Sequence, residues 1–124
     1  MFDHVEFSVA DISASRAFYG GVVKALGGSE IFFDVDGKEL GLGVGDVVHL
    51  LLFQAGPTQP RMHICLTAQS KEDVVAAHQA ALAAGGSCNG PPGYRDHYGP
   101  GYFAAFMHDA DGHNIEALYR EPLA

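Results

Sequence analysis

The chain repeats itself at a spacing of 59 residues. His4-Val5-Glu6-Phe7-Ser8-Val9 returns as His63-Ile64-Cys65-Leu66-Thr67, and the helix-opening Asp11 returns as Ser70. Gly27 is matched by Gly85, at a spacing of 58. A repeat of this kind constrains the fold more than any local propensity, because each copy must form the same unit and neither can bury its apolar face alone. Both copies read strand, helix, then three strands. The expected class is α+β: two tandem βαβββ modules, about residues 1–56 and 61–124, docked as one domain. Their strands form a curved, partly closed mixed sheet around a central cleft, with the helices outside.

The elements follow from periodicity. Residues 4–9 alternate, with His4, Glu6 and Ser8 on one face and Val5, Phe7 and Val9 on the other. Asp11 or Ser13 caps a helix to about Leu26, whose stripe is Phe18, Val22 and Leu26. Gly20 and Gly21 cost that helix about 1 kcal/mol each relative to alanine, so a break is expected there. Strands follow near 29–35, 38–43 and 46–53, the first two joined by Asp36-Gly37, a strong hairpin signal. Gln54 to Arg61, with Pro57 and Pro60, reads as a linker. The second copy runs through a strand at 63–67 and a helix opened by Ser70 with Asp73 three residues on. A short strand at 86–89, a loop at 90–100 and a strand at 101–107 come next. The turn Asp109-Ala110-Asp111-Gly112 leads into the last strand, 113–119.

Charge narrows the partners. With 7 basic and 15 acidic residues the formal net charge is −8, the wrong sign for a nucleic-acid binder, which needs a basic face to displace counterions. No apolar run approaches the ~20 residues that span a bilayer. Met1-Phe2-Asp3-His4 shows no basic region followed by an apolar stretch, so no secretion signal is expected and the compartment is read as cytoplasmic. Cys65 and Cys88 fit that as free thiols.

Glu116 is the residue that demands an explanation. A carboxylate in the middle of an otherwise apolar strand is costly unless something pairs with it. One reading is an ion pair with Arg95 or Arg120. The other is that His4, His63 and Glu116 meet on a metal ion, since all three lie on strand faces of matching parity. Laying Val47-Val48-His49-Leu50 over Asn114-Ile115-Glu116-Ala117 makes His49 the counterpart of Glu116 and a fourth candidate ligand. Imidazole and carboxylate suit zinc, nickel, iron, manganese or cobalt, with positions left open to a small-molecule substrate. His78 and His108 read as surface residues, and His113 as structural. The stretch Pro91 to Gly101 is either an exposed loop or a binding loop. Arg95 would bind anions there, beside His97, Tyr98 and Tyr102.

Two stretches carry a resemblance to a known family. They are His4-Val5-Glu6-Phe7-Ser8-Val9-Ala10-Asp11 with Ser15-Arg16-Ala17-Phe18-Tyr19, and Phe106-Met107-His108-Asp109-Ala110-Asp111-Gly112-His113-Asn114-Ile115-Glu116. The chain resembles the vicinal oxygen chelate superfamily of glyoxalase I, extradiol dioxygenases, fosfomycin-resistance transferases and bleomycin-resistance proteins. Pro100-Gly101-Tyr102-Phe103-Ala104-Ala105-Phe106 makes it most similar to the small glyoxalase-like members. The resemblance implies paired βαβββ modules, one divalent metal ion at the positions of His4, His63 and Glu116, and a homodimer. Glyoxalase I enzymes carry a glutamate where this alignment puts His49. That departure bears on isomerase chemistry, which needs a carboxylate base beside the metal. Glu6 is a possible substitute base or a satisfied rim group.

The leading expectation is a metal-dependent enzyme of glyoxalase-like lyase or isomerase type. Such an enzyme would act on a small molecule with two adjacent oxygens. A non-catalytic binder of a cationic ligand, such as bleomycin, is the alternative from another class. A small dioxygenase is the third.

Overall fold

The computed structural model describes residues 2–56 and 62–124. Most of the expected linker, and Met1, lie outside the described residues. The first module comprises β1 (Val5–Val9), α1 (Ile12–Ala25), β2 (Ser29–Asp34), β3 (Glu39–Val44) and β4 (Val47–Gln54). The second comprises β5 (His63–Thr67), α2 (Lys71–Ala83), β6 (Ser87–Tyr94), β7 (Tyr102–His108) and β8 (Asn114–Arg120), with a single 3-10 turn at Asp96–Tyr98.

Each module builds the same four-stranded mixed sheet. The orders are β1-β4-β3-β2 and β5-β8-β7-β6, with the first pair parallel and the rest antiparallel. The sheets stay separate and do not close on one another. Each helix covers its own sheet and also packs on the other helix, so the helices form part of the junction between the modules. At their crossing a Cβ on Gly21 would stand 3.4 Å from Ala80 Cβ. This explains why α1 runs unbroken through Gly20-Gly21: the helical cost of glycine is offset by close packing.

Local chemistry sets the helix ends. The Asp11 side chain accepts from the N–H groups of Ser13 and Ala14 at 3.0 and 3.2 Å, and Ser70 Oγ accepts from Asp73 N–H at 3.1 Å. Both caps satisfy donors that a helix start leaves open. Gly27 and Gly85 then end the helices at φ 93° and 92°, a left-handed backbone that favours glycine.

One core serves both modules. Phe7, Val9, Leu40, Leu42, Leu50 and Leu52 line the helix-facing side of the first sheet and are buried, as are Ala105, Met107, Ile115 and Ala117 of the second. The docking is also polar. Tyr19 Oη, fully buried on α1, donates to Asp109 Oδ2 at 2.5 Å in the β7–β8 turn. His113 in that turn is fully buried with its ring edge-on to Phe7 at 5.8 Å, and its Nδ1 accepts from Met62 N–H at 3.0 Å. The expectation that His113 is structural agrees with this placement.

Two expectations need correction. The stretch placed in a loop at 90–100 is strand as far as Tyr94, because β6 is an edge strand that pairs only with β7 and tolerates Pro91 and Pro92 at its register shifts. The overlay that made His49 the counterpart of Glu116 is also wrong. Glu6 pairs with Leu51, and Cys65, the equivalent of Glu6, pairs with Glu116. Leu51 is therefore the counterpart of Glu116. The ladder between β3 and β4 steps from Leu42↔Leu50 to Gly43↔Val48, which leaves His49 as the bulged residue.

Among the described residues no helix is long and apolar enough to cross a membrane.

Candidate functional site

Glu116 and His63 come together. On β5 and β8 the parallel ladder sets His63 opposite Asn114 and Cys65 opposite Glu116. The four side chains share one face because they are two residues apart along each strand. His63 leans along the ladder so that its Nε2 is 3.0 Å from Glu116 Oε1, and its Nδ1 is 3.2 Å from the Asn114 carbonyl oxygen. The carboxylate is 3 % exposed. Its other oxygen, Oε2, accepts from Tyr102 Oη in a short hydrogen bond, and Cys65 stands opposite Glu116 on the ladder.

The carboxylate shapes its neighbours. Desolvation, and then the charge of Glu116, push the Cys65 thiol up to about 12. Desolvation, then the hydrogen bond to Glu116 and its charge, hold the Tyr102 phenol above its ordinary range, partly opposed by Arg120, whose guanidinium lies 5.2 Å from the Tyr102 ring centroid. Both groups keep their protons at neutral pH. The arginine partnership offered for Glu116 is not formed. Its hydrogen-bond partners are His63 and Tyr102.

An aromatic run extends the site. Tyr98 stands 5.1 Å from Tyr102 and His97 4.2 Å from Tyr98, measured between ring centroids. Arg95 is not the open anion clamp that was expected. It donates to the carbonyl oxygens of Gly93 and Pro91 at 2.9 and 2.7 Å and lies over the Phe106 ring. It still lines a hollow of about 280 Å³ with Asn89, Tyr98, Phe106 and Asn114.

The first module contributes differently. His4 and His49 face His63 and Cys65 across a hollow of about 570 Å³ between the modules. The His4 ring is held at 2.8 Å by Asp3, and His49 Nδ1 lies 2.9 Å from the Asp3 carbonyl oxygen. His49 also borders a hollow beside Val23, Leu42 and Leu50, on the helix-facing side of its sheet. His4 instead shares a hollow on the other side with Phe32, Val48 and Leu51. Glu6 is exposed on β1.

The chemistry of the second-module donors fits a divalent cation: an imidazole nitrogen and a carboxylate oxygen converge, and the other ring nitrogen is oriented by a backbone carbonyl. Among the described residues no three His, Cys, Asp or Glu side chains are grouped as ligands. Cys65 and Asn114 belong to the site and were not singled out from the sequence. Their signal was parity, each two residues from a named candidate on the same strand.

Comparison with known proteins agrees with this architecture. The family model described as Glyoxalase/Bleomycin resistance protein/Dioxygenase superfamily matches residues 1–117. No curated protein matches the chain. A glyoxalase/bleomycin resistance protein from Albidiferax ferrireducens T118 is 30% identical with a TM-score of 0.79, the match covering 97% of this chain and 99% of that one. A putative glyoxalase from Bacillus halodurans is 22% identical with a TM-score of 0.71, covering 96% and 95%. A mutant of the fosfomycin resistance protein FosX from Listeria monocytogenes is 20% identical with a TM-score of 0.68, covering 95% and 88%. That structure is a complex with Mn(II) and 1S,2S-dihydroxypropylphosphonic acid. The duplicated modules, the two mixed sheets and the match over residues 1–117 together make this chain a member of the glyoxalase/bleomycin resistance protein/dioxygenase superfamily.

Proposed function

We propose that the protein is a divalent-metal-dependent enzyme acting on a small molecule with two adjacent oxygens. The observation that carries this reading is the His63–Glu116 pair, 3.0 Å apart with the carboxylate buried. A buried carboxylate is costly, and a cation held with an imidazole offsets that cost. The ligands are His63, Glu116 and His4, which faces His63 across the inter-module hollow. The exposed His4–Asp3 contact is weak enough to be exchanged for a cation. When bound, the ion would act as a Lewis acid on paired oxygens.

Each neighbouring residue has a part. Tyr102, protonated at neutral pH, donates a hydrogen bond beside the carboxylate, and Tyr98 and His97 line the approach. Arg95 fixes the shape of that wall through its bonds to Pro91 and Gly93. Glu6, exposed on β1, is the candidate to take a proton from substrate. Leu51 occupies the position equivalent to Glu116, so the first module supplies no matching carboxylate. This favours lyase or addition chemistry with a single metal-bound carboxylate over glyoxalase I isomerisation. A homodimer and a cytoplasmic setting, which suits the free thiols Cys65 and Cys88, complete the proposal.

The test is cation retention. Chelator-treated protein is dialysed against Mn, Ni, Co, Zn or Fe(II) and its metal content measured. One ion per chain, lost in His63→Ala and in Glu116→Gln, is expected. Equal metal content in wild type and both variants would sink the reading.

A second reading rests on the same carboxylate. Each oxygen of Glu116 already has a partner, His63 on one and Tyr102 on the other, so it is satisfied without a cation, as in a non-catalytic binder. The net charge of −8 would then favour a cationic ligand. Ligand affinity unchanged by chelator and by His4→Ala would select this reading.

A further inference from the structure

The two cysteines have different neighbours. Cys65 pairs with Glu116 across the β5–β8 ladder. Cys88, exposed on β6 opposite Met107, has its Sγ 3.1 Å from Nε2 of His78 on α2. The same sulfur accepts a hydrogen bond from the backbone N–H of Gly90 at 3.4 Å. A thiol is nucleophilic as its thiolate, and a base within hydrogen-bond reach together with an N–H donor on the sulfur is how proteins make one. Desolvation holds the His78 imidazole below its ordinary range. The ring is therefore uncharged at neutral pH, with a lone pair available for the thiol proton.

We propose that Cys88 is a thiol-modification site, with His78 as its base and the Gly90 N–H as donor to the sulfur, and that it reacts with low-molecular-weight disulfides. The Cys88 proton passes to His78 Nε2 and Sγ attacks one sulfur of the disulfide. The S–S bond of the reagent breaks, and a mixed disulfide forms on Cys88. The other half leaves as a thiolate and collects the proton from the imidazolium. Cys88 is oxidised and the departing half is reduced, so no further oxidant is needed.

The location couples this sulfur to the binding face. β6 shifts register between Cys88 and Gly90, where the Sγ contact spans the irregularity. Asn89, between them, donates to Asn114 Oδ1 at 3.3 Å. Converting the sulfur to a disulfide acts on the strand that supplies Asn89 to the hollow beside Arg95 and Tyr98.

The experiment treats reduced full-length protein with oxidised glutathione and, separately, with hydroxyethyl disulfide. Adducts are mapped by peptide mass over about pH 6 to 9. Cys88 should carry the adduct, reacting in the Cys65→Ser protein at pH 7 roughly tenfold faster than free cysteine. In His78→Gln the rate should fall toward the free-thiol value and the midpoint of its pH profile should rise. Modification of Cys65 ahead of Cys88, or a Cys88 rate and pH profile unchanged by His78→Gln, overturns the proposal. Should His78→Gln fail to fold, wild-type protein decides alone: a Cys88 rate no greater than that of free cysteine also overturns it.

Discussion

Nε2 of His63 and Oε1 of Glu116 meet at 3.0 Å as a diagonal pair across the parallel β5–β8 ladder, each sitting opposite the other's same-face neighbour. His63 is about half exposed while Glu116 is almost wholly buried. The pair therefore presents its imidazole to solvent and its charge to the protein interior.

Replacing that charge with an apolar side chain should cost little. Leu51 fills the equivalent position in the first module, and the partners released, His63 and Tyr102, both reach water. Glu116→Leu is expected to lie within about 1 kcal/mol of wild type in urea denaturation. It should retain no divalent cation. A loss of several kcal/mol would show that the carboxylate has a structural role.

The ligand set is open to a direct comparison. His4 shares its hollow with Leu51, on the side of the sheet away from the helices, whereas His49 is bulged toward Leu42 and Leu50. His4→Ala should reduce cation retention at least tenfold, about 1.4 kcal/mol of binding, and His49→Ala should leave it unchanged. Metal analysis after dialysis of the two variants side by side decides the point.

Alkali should weaken the fold. Cys65 ionises at an ordinary 9.0 when unfolded and at about 12 when folded, and Tyr19 and Tyr102 are likewise raised from 10.0. A raised folded value means that the unfolded chain loses its protons first. The stability is present in full below the unfolded value and falls as pH rises toward the folded one. Urea midpoints should decline from about pH 8 to pH 11, less steeply in Cys65→Ser and Tyr102→Phe. Parallel slopes in wild type and both variants would exclude these groups as the cause.

Tyr19→Phe removes the hydroxyl that joins α1 to the β7–β8 turn and leaves Asp109, which is 7% exposed, short of a donor. The expected loss is about 1–3 kcal/mol. The denaturant slope should be unchanged, since the modules still unfold as one unit.

The fold was legible because duplication is written in the chain: His4 with His63, Asp11 with Ser70 and Gly27 with Gly85 each mark the same structural point twice. The pairing of His63 with Glu116 was legible through strand parity. The phase of β4 was not. Leu50-Leu51-Leu52-Phe53 has no polar alternation, so nothing in it says which residues face the helix, and a bulge at His49 leaves no mark in composition. β6 was hidden by Gly90-Pro91-Pro92-Gly93, which reads as loop unless the strand is known to be an edge. Arg95 misled for another reason. A guanidinium satisfied by nearby backbone carbonyls has the same sequence as one waiting for a ligand.

Leucine at 51 against glutamate at 116 leaves the two copies chemically unlike at one matched position. Copying the backbone has therefore not copied the chemistry: one half keeps a buried acid and the other a plain hydrocarbon at the same rung.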